Sequence, residues 1–372
     1  MPFNNIRLKS ALAALTLSLS VPALLHADEP TRVVASFSVL GDMVERIGGE
    51  HVDLTTLVGP DGDAHVYQPT PTAARDVAAA EVLIVNGLEF EGWLDRLAEA
   101  ASFDGTLVVA TAGIEPTAFG EDDHDDHDDH DDDRHEDNHD DHEDKDHDEH
   151  GHDDHDGHDG HEEHDEHDDH GDHEEHADHD NHAEHEGHDD HHGHAHGAFD
   201  PHAWQSLQNA IVYVDNITAA LAQADPENAA DFYKNRAAYV AEIEALDAEI
   251  KVTLGALPED KRTVVTSHDA FGYFAQAYDL EFLAPQGLST ESEPSAADVA
   301  EMITQIREKG ISAVFVETIT DNRLLTQIAN ETGAAIGGTL YSDALSGEDG
   351  PASTYLDMMR HNSQAIAGAL GS

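Results

Sequence analysis

The sequence predicts an α/β protein of two lobes, each with a mostly parallel sheet, joined by a long rigid helix. Three observations carry that reading. Short apolar runs alternate with helix-periodic segments from residue 32 to 110, and the same alternation returns from 263 to 370. Strand followed by helix followed by strand is the pattern of a mostly parallel sheet. Between the two stretches lies a single long helical pattern bounded by Pro226 and Pro258.

In the first stretch the expected strands are Arg32–Ser36, Val52–Val58, Glu81–Asn86 and Leu107–Ala110, and the expected helices Val39–Ile47, Thr72–Ala79 and Trp93–Ala101. A helix follows Trp204 and reaches about Ala224. Pro226 suits the first turn of the next helix. That helix, Glu227 to about Leu257, carries Phe232, Tyr233, Tyr239, Val240, Ile243, Leu246 and Ile250 at mixed three- and four-residue steps. At ~1.5 Å per residue it would span ~45 Å. It reads as a strut between lobes; a dimeric coiled coil is the alternative, with too few heptads to sustain it. In the second stretch the strands are Thr263–Thr266, Glu281–Ala284, Ala313–Glu317 and Ala335–Leu340, and the helices Ala270–Tyr278, Ala296–Lys309, Arg323–Thr332 and Thr354–Leu370.

The ends of this plan follow from composition. Residues 1–27 read as a signal peptide: Arg7 and Lys9 precede the apolar stretch Ala11–Leu25, with cleavage after Ala27 or Ala23. The stretch is too short and too weakly flanked for a spanning helix. The domain plan is therefore 1–27 signal peptide, 28–224 N-terminal lobe, 225–258 connecting helix and 259–372 C-terminal lobe. The chain has no cysteine. It can form no disulfide, any metal site must use nitrogen and oxygen, and an anchor through an N-terminal cysteine is excluded. These points together predict an exported, soluble periplasmic protein with no lipid anchor.

Residues 120–197 interrupt the N-terminal lobe with a tract of almost pure histidine and acid. Fourteen histidines fall at every third position: His152, His155, His158, His161, His164, His167, His170, His173, His176, His179, His182, His185, His188 and His191. The tract holds too few apolar residues to offset chain entropy, so it is expected to be disordered without metal. Its period of three fits neither a helix stripe nor a strand. Neutral imidazole is the commonest protein ligand for borderline metals, and the carboxylates add oxygen donors. The bland account is repeat expansion in a tolerated loop; the chemical one is weak, multiple metal binding. The tract also carries much of the net charge of −63. So acidic a chain lacks the basic footprint that nucleic acid requires.

Outside the tract lie His26, His51, His65, His202, His268 and His361. His26 falls at the signal boundary, His51 in a Gly-Gly-Glu-His turn expected to be solvated, and His361 on the last helix, expected to be exposed. The other three share a setting. His65 and His268 follow strands, and His202 begins the helix after the tract. In open α/β sheets ligands bind beyond the carboxyl ends of strands. Asp343 stands in the same place after Ala335–Leu340. Three imidazoles and one carboxylate would make a four-coordinate site. Each is weak evidence singly: a lone loop histidine is more often solvated, and Asp343 could equally cap a turn.

Four motifs then become familiar together: Asp-Ala-His-Val-Tyr-Gln-Pro-Thr-Pro from Asp63, Asp-Pro-His-Ala-Trp from Asp200, Ser-His-Asp-Ala-Phe-Gly-Tyr-Phe from Ser267, and Tyr-Ser-Asp-Ala-Leu from Tyr341. Asn86-Gly87-Leu88 with Trp93, and Val-Phe-Val-Glu-Thr ending at Thr318, add to them. Over residues 30–372 the chain resembles the metal-binding solute-binding proteins of ABC importers, in their zinc-uptake, ZnuA-like branch. The resemblance implies metal held in the cleft between lobes by His65, His202, His268 and Asp343 or water, and a histidine-acid loop before the second ligand. It implies an inner-membrane permease with its cytoplasmic ATPase as partner, and exchange with other periplasmic zinc carriers is a further expectation. Two departures stand out. Ala64 occupies a position where the family usually has Pro or Glu, and the disulfide of some members cannot form. The manganese branch typically places Glu where His268 stands. Three nitrogens and one oxygen suit Zn²⁺, with copper and nickel also compatible.

The expected function is high-affinity Zn²⁺ capture for an ABC importer, without enzymatic activity, the tract collecting or sensing zinc. The alternatives are a periplasmic metal buffer, a manganese-type binder, and a zinc hydrolase with Glu317 as its base. Affinity is expected to fall with pH through the imidazole range near ~6.5.

Overall fold

The computed structural model describes residues 29–118 and 199–371. Strands β1 (Thr31–Phe37), β2 (Val52–Val58), β3 (Val82–Val85) and β4 (Thr106–Val109) form one parallel sheet in the order β2-β1-β3-β4. Strands β5 (Thr263–Val265), β6 (Glu281–Leu283), β7 (Ala313–Glu317) and β8 (Ala335–Leu340) form a second in the order β6-β5-β7-β8. The two sheets thus repeat one topology. In each, the first strand of the lobe lies inside and the chain changes direction beside it, so the loops leaving its carboxyl end border a crevice.

Helices α1 (Ser38–Gly48), α2 (Pro71–Ala79), α3 (Leu94–Ala101) and α4 (Leu207–Ala224) belong to the first half, and α6 (Gly272–Tyr278), α7 (Ala296–Lys309), α8 (Arg323–Thr332) and α9 (Tyr355–Leu370) to the second; α5 (Ala229–Gly255) runs between them. Local chemistry sets several ends. Thr70 accepts from the Ala73 N–H with Pro71 opening α2, Ser295 and Asp298 form a reciprocal capping box on α7, and Thr354 caps α9. These side chains satisfy N–H groups that have no partner inside the helix.

The connecting helix α5 has 27 residues, or roughly 40 Å. It starts later than Pro226 suggests. The Asn228 backbone and side-chain amides both donate to the Asp225 carboxylate, at 3.2 and 2.6 Å. That bond closes a turn around Pro226 and leaves Asn228 as the residue before the helix. The helix buries Phe232, Tyr239, Ile243, Leu246, Ile250 and Leu254, whereas Tyr233 of the expected apolar pattern is exposed and Val240 half-buried. The buried side chains join one hydrophobic cluster that includes Phe37, Trp204 and Val264, and so runs through both lobes. A smaller cluster, centred on Val265, Met302, Val314 and Ile328, fills the far side of the second sheet. Asp42 on α1 accepts from Tyr239 of α5 and from the Tyr355 N–H at the start of α9, at 3.3 and 3.0 Å.

Two histidines differ from expectation. His51 is half-buried, edge-on to Phe232 at 5.8 Å and 3.5 Å from Asp231, because α5 covers its turn. His361 is also half-buried, its Nε2 3.0 Å from the Thr339 carbonyl oxygen and its ring against Tyr341. No helix among the described residues is long and apolar enough to cross a membrane. The expected signal peptide 1–27, His26 and the tract 120–197 with its fourteen periodic histidines lie outside the described residues.

Two positions two residues apart on α5 test the packing. Ile250 is buried, whereas Val252 is 76% exposed. Ile250→Ala should cost about 2–5 kcal/mol in urea unfolding, and Val252→Ala should stay within about 0.5 kcal/mol of the parent. Equal losses would show that α5 does not present these two faces.

Candidate metal centre

The loop between β2 and α2 supplies His65. Its N–H donates to Asp63 Oδ1 at 2.9 Å, and Trp93 Nε1 donates to the Ala64 carbonyl at 2.8 Å. Ala64 thus contributes a backbone oxygen to Trp93, where an acid would have offered a side chain. The His65 ring stands edge-on to Phe90 at 4.8 Å. Asp63 Oδ2 also accepts from Thr290, across from the other lobe, at 2.6 Å.

His202 precedes the short 3-10 turn Ala203–Gln205. Asp200 Oδ1 accepts its backbone N–H at 2.9 Å and lies 2.8 Å from its Nδ1. One carboxylate oxygen therefore fixes both main chain and ring, and turns Nε2 inward. The turn is held from below. Asn86 donates to the Pro201 carbonyl at 2.9 Å and accepts from the Tyr213 hydroxyl. Asn86 opens a strained segment in which Gly87, Leu88 and Glu89 all have positive φ, at 87°, 52° and 63°. A Cβ on Gly87 would also lie 2.5 Å from Val109 Cγ1. The buried Glu91 carboxylate holds the segment by accepting the Asn86 and Gly87 N–H groups, at 2.7 and 3.2 Å. Burial raises the Glu91 pKa, opposed by these bonds and by Ser36.

The second lobe supplies the other two groups. His268 leaves the end of β5. Glu317, at the end of β7, accepts the Ser267 and His268 N–H groups through Oε1, at 2.8 and 3.0 Å. Its Oε2 faces His268 Nδ1 at 2.7 Å, off the best hydrogen-bond angle, and neither atom has a hydrogen-bond partner among the described residues. Asp343 follows β8. The adjoining Ser342 carbonyl accepts from Trp204 Nε1 and Gln205 Nε2 of the first lobe, at 2.9 and 2.8 Å.

These loops bring His65, His202, His268 and Asp343 together, with their donor atoms all within 4.8 Å of one another. His65 Nε2 and His268 Nε2 lie 3.1 and 3.2 Å from Asp343 Oδ2, and His202 Nε2 lies 3.6 Å from Oδ1. His202, His268 and Asp343 are fully buried, while His65 is 8% exposed. A tetrahedral Zn²⁺ with ligands near ~2.1 Å separates neighbouring donors by roughly 3.4 Å, so these spacings suit such an ion. His202 Nε2 and Asp343 Oδ1 are buried without hydrogen-bond partners among the described residues. Orphaned polar atoms of this kind are costly, and a shared cation would satisfy both.

The electrostatics point the same way. Burial alone would lower the His202 pKa, yet the Asp343 and Asp200 carboxylates push it up to about 9. Burial likewise opposes the charge on His268, but Glu317 and Asp343 hold its pKa well above the ordinary imidazole value. Asp343, which burial would raise, is held well below the usual carboxylate range by His202 and His268.

All four residues singled out in the sequence thus converge, and Asp343 rather than a turn cap faces the histidines. The roles of Asp200, Glu317 and Glu91 were not apparent there. Asp two residues before a histidine in Asp-Pro-His is a local signal that an Asx turn gives. Glu317 acts across 49 residues and leaves no such signal. It is also a poor general base, because its oxygens already face two backbone N–H groups and an imidazole.

A two-lobed α/β protein with three buried histidines and a carboxylate between its lobes belongs to the class of metal-binding solute-binding proteins. The particular family is shown by comparison. The family model described as ZnuA, zinc-uptake complex component A, periplasmic, matches residues 33–369, and the chain belongs to that family. Substrate-binding proteins of metal ABC transporters work with a membrane permease and an ATPase. The manganese-binding lipoprotein MntA of Halalkalibacterium halodurans is 27% identical over 342 residues, covering 92% of this chain and 89% of that protein. The iron-binding protein YfeA of Yersinia pestis is 28% identical over 340 residues, covering 91% and 86%. The Mn-bound periplasmic metal-binding protein of Candidatus Liberibacter asiaticus superposes with a TM-score of 0.66 at 26% identity, covering 91% and 99%. The periplasmic zinc-binding protein TroA of Treponema pallidum shares the fold, with a TM-score of 0.69 at 23% identity, covering 92% and 99%.

The comparisons correct one expectation. A periplasmic protein with no lipid anchor was inferred from the absence of cysteine, but relatives including MntA are named lipoproteins. A single missing residue type does not carry the location against that finding, and the segment where an anchor would sit lies outside the described residues.

The pH window also moves. A metal must displace the protons on the histidine Nε2 atoms, so affinity falls as pH drops below each folded pKa. With His202 at about 9, apparent affinity should still climb, by ~10-fold per pH unit for each proton displaced, between pH 7 and 8. Chelator competition across that range checks it. A plateau above pH 7 would place His202 at the ordinary imidazole value near ~6.5.

Proposed function

We propose that the chain captures Zn²⁺ between its lobes through His65, His202, His268 and Asp343 and delivers it to the permease of an ABC importer. The observation that carries this reading is the approach of His65 Nε2 to Asp343, 278 positions away in sequence, at a point where two further imidazoles meet. Three nitrogens and one oxygen suit zinc better than manganese, which favours oxygen donors. The names of MntA and YfeA support manganese or iron as the competing cargo. The donor set supports zinc here, because His268 offers nitrogen where an oxygen ligand would favour manganese.

The proposal keeps the division 28–224, 225–258 and 259–372, with residues 1–27 as export signal. It gives the 120–197 tract, through His152 to His191, a separate role as a weak zinc collector. The donors between the lobes are preorganised by backbone and carboxylate contacts, and preorganisation strengthens binding, so each tract site is proposed to be the weaker. Zinc in thousandfold excess over Kd should stabilise the folded chain by ~4 kcal/mol.

Titration calorimetry on the full chain and on a chain lacking residues 120–197 tests both roles. The shortened chain should keep one tight Zn²⁺ and lose the weak equivalents. Asp343→Ala should weaken the tight site by more than ~100-fold, since loss of an outer-sphere partner alone costs 10–100-fold. Disappearance of the tight site on removing the tract would defeat the division of roles, and tighter binding of Mn²⁺ than Zn²⁺ would defeat the zinc assignment.

A further inference from the structure

We infer that Glu317 is a positioning residue that fixes which nitrogen of His268 is free to bind the metal. The inference rests on the four-donor reading of the site. Glu317 is fully buried at the end of β7. A carboxylate there carries only acceptors: the Ser267 and His268 N–H groups donate to it, and His268 Nδ1 lies 2.7 Å from its Oε2. Opposite an acceptor, Nδ1 carries the proton, so Nε2, which shares its own proton with Asp343 Oδ2 at 3.2 Å, is the nitrogen whose lone pair is freed when a metal displaces that proton. The two backbone bonds hold the Ser267-His268 turn against the neighbouring strand, so one group sets both the position and the tautomer of the ring.

The arrangement recurs in the other lobe with different residues. Asp200 takes the His202 N–H and faces His202 Nδ1. The two most deeply buried imidazoles are thus each gripped from behind by a carboxylate. Among the described residues His65 shows no such grip: its side-chain hydrogen bond is made by Nε2.

Glutamine separates this role from space filling. Glu317→Gln keeps the shape but has one acceptor oxygen and one NH₂ group. If the oxygen stays on the backbone N–H groups, the NH₂ faces Nδ1. The ring must then accept there, and its proton moves to Nε2, where it blocks the metal. If the amide turns over, its NH₂ meets the two backbone N–H groups. Either way the zinc-ready ring is disfavoured while the packing volume is kept.

The test is a double-mutant cycle on the full chain, with Zn²⁺ affinity measured by chelator competition. Emission from Trp204, whose ring lies 5.2 Å from that of His202, reports occupancy of this site. Glu317→Gln should weaken Zn²⁺ binding 10–100-fold in the parent and less than about twofold in a His268→Ala background, because the residue acts through that ring. Equal losses in both backgrounds, or no loss in the parent, would overturn the role. If Glu317→Gln does not fold cooperatively, Glu317→Asp carries the same cycle under the same two criteria. A parent chain that takes no Zn²⁺ at the four donors would remove the functional reading itself; parent binding with an unaffected Glu317→Gln would remove only the role of Glu317.

Discussion

The Asp343 carboxylate and the three imidazoles around it are the constraint to which the rest of the molecule answers. A carboxylate this deeply buried loses several kcal/mol of hydration. It is tolerated because positive charge meets it from both lobes, as protonated histidine or as a bound cation. Neither lobe holds the site alone: His65 and His202 come from the first, His268 and Asp343 from the second. Two parallel sheets of like topology, with their carboxyl ends turned toward one crevice, supply four loops that meet there.

Keeping those loops in register is the work of contacts next to the donors. Ser342, beside Asp343, accepts two side-chain bonds from the turn that follows His202. The next residues are tied as well: Leu345 N–H donates to Ser38, and Asp61 N–H donates to the Leu345 carbonyl. Behind them the hydrophobic cluster passes from one lobe to the other along α5. Donor spacing is therefore set by main chain and core rather than by long, mobile side chains. Outer carboxylates then choose which imidazole nitrogen faces inward.

Much of this was legible in the residues, and the reasons are local. β7, β8, α7 and α8 begin and end where apolar runs, Ser295 and the glycines at 310 and 333 place them. The four donors could be named because each sits in a loop after a strand or opens a helix, and because their motifs resemble a known family. What escaped was long-range. His51 and His361 looked solvent-facing, yet α5 covers one and the Thr339 carbonyl and Tyr341 hold the other. Pro226 looked like a first-turn residue, but the Asp225–Asn228 bond starts the helix later. Glu317 and Glu91 matter through backbone groups of distant or strained loops, which no periodicity reveals.

The central claim is that one divalent metal is shared by three imidazole nitrogens and one carboxylate oxygen drawn from both lobes. Anomalous diffraction from zinc-loaded crystals, recorded on either side of the zinc absorption edge, tests it most directly. The account predicts a peak lying ~2.0–2.2 Å from His65, His202, His268 and Asp343 together. Zinc-loaded crystals with no peak among those four side chains, or with a peak held by one lobe only, would contradict it.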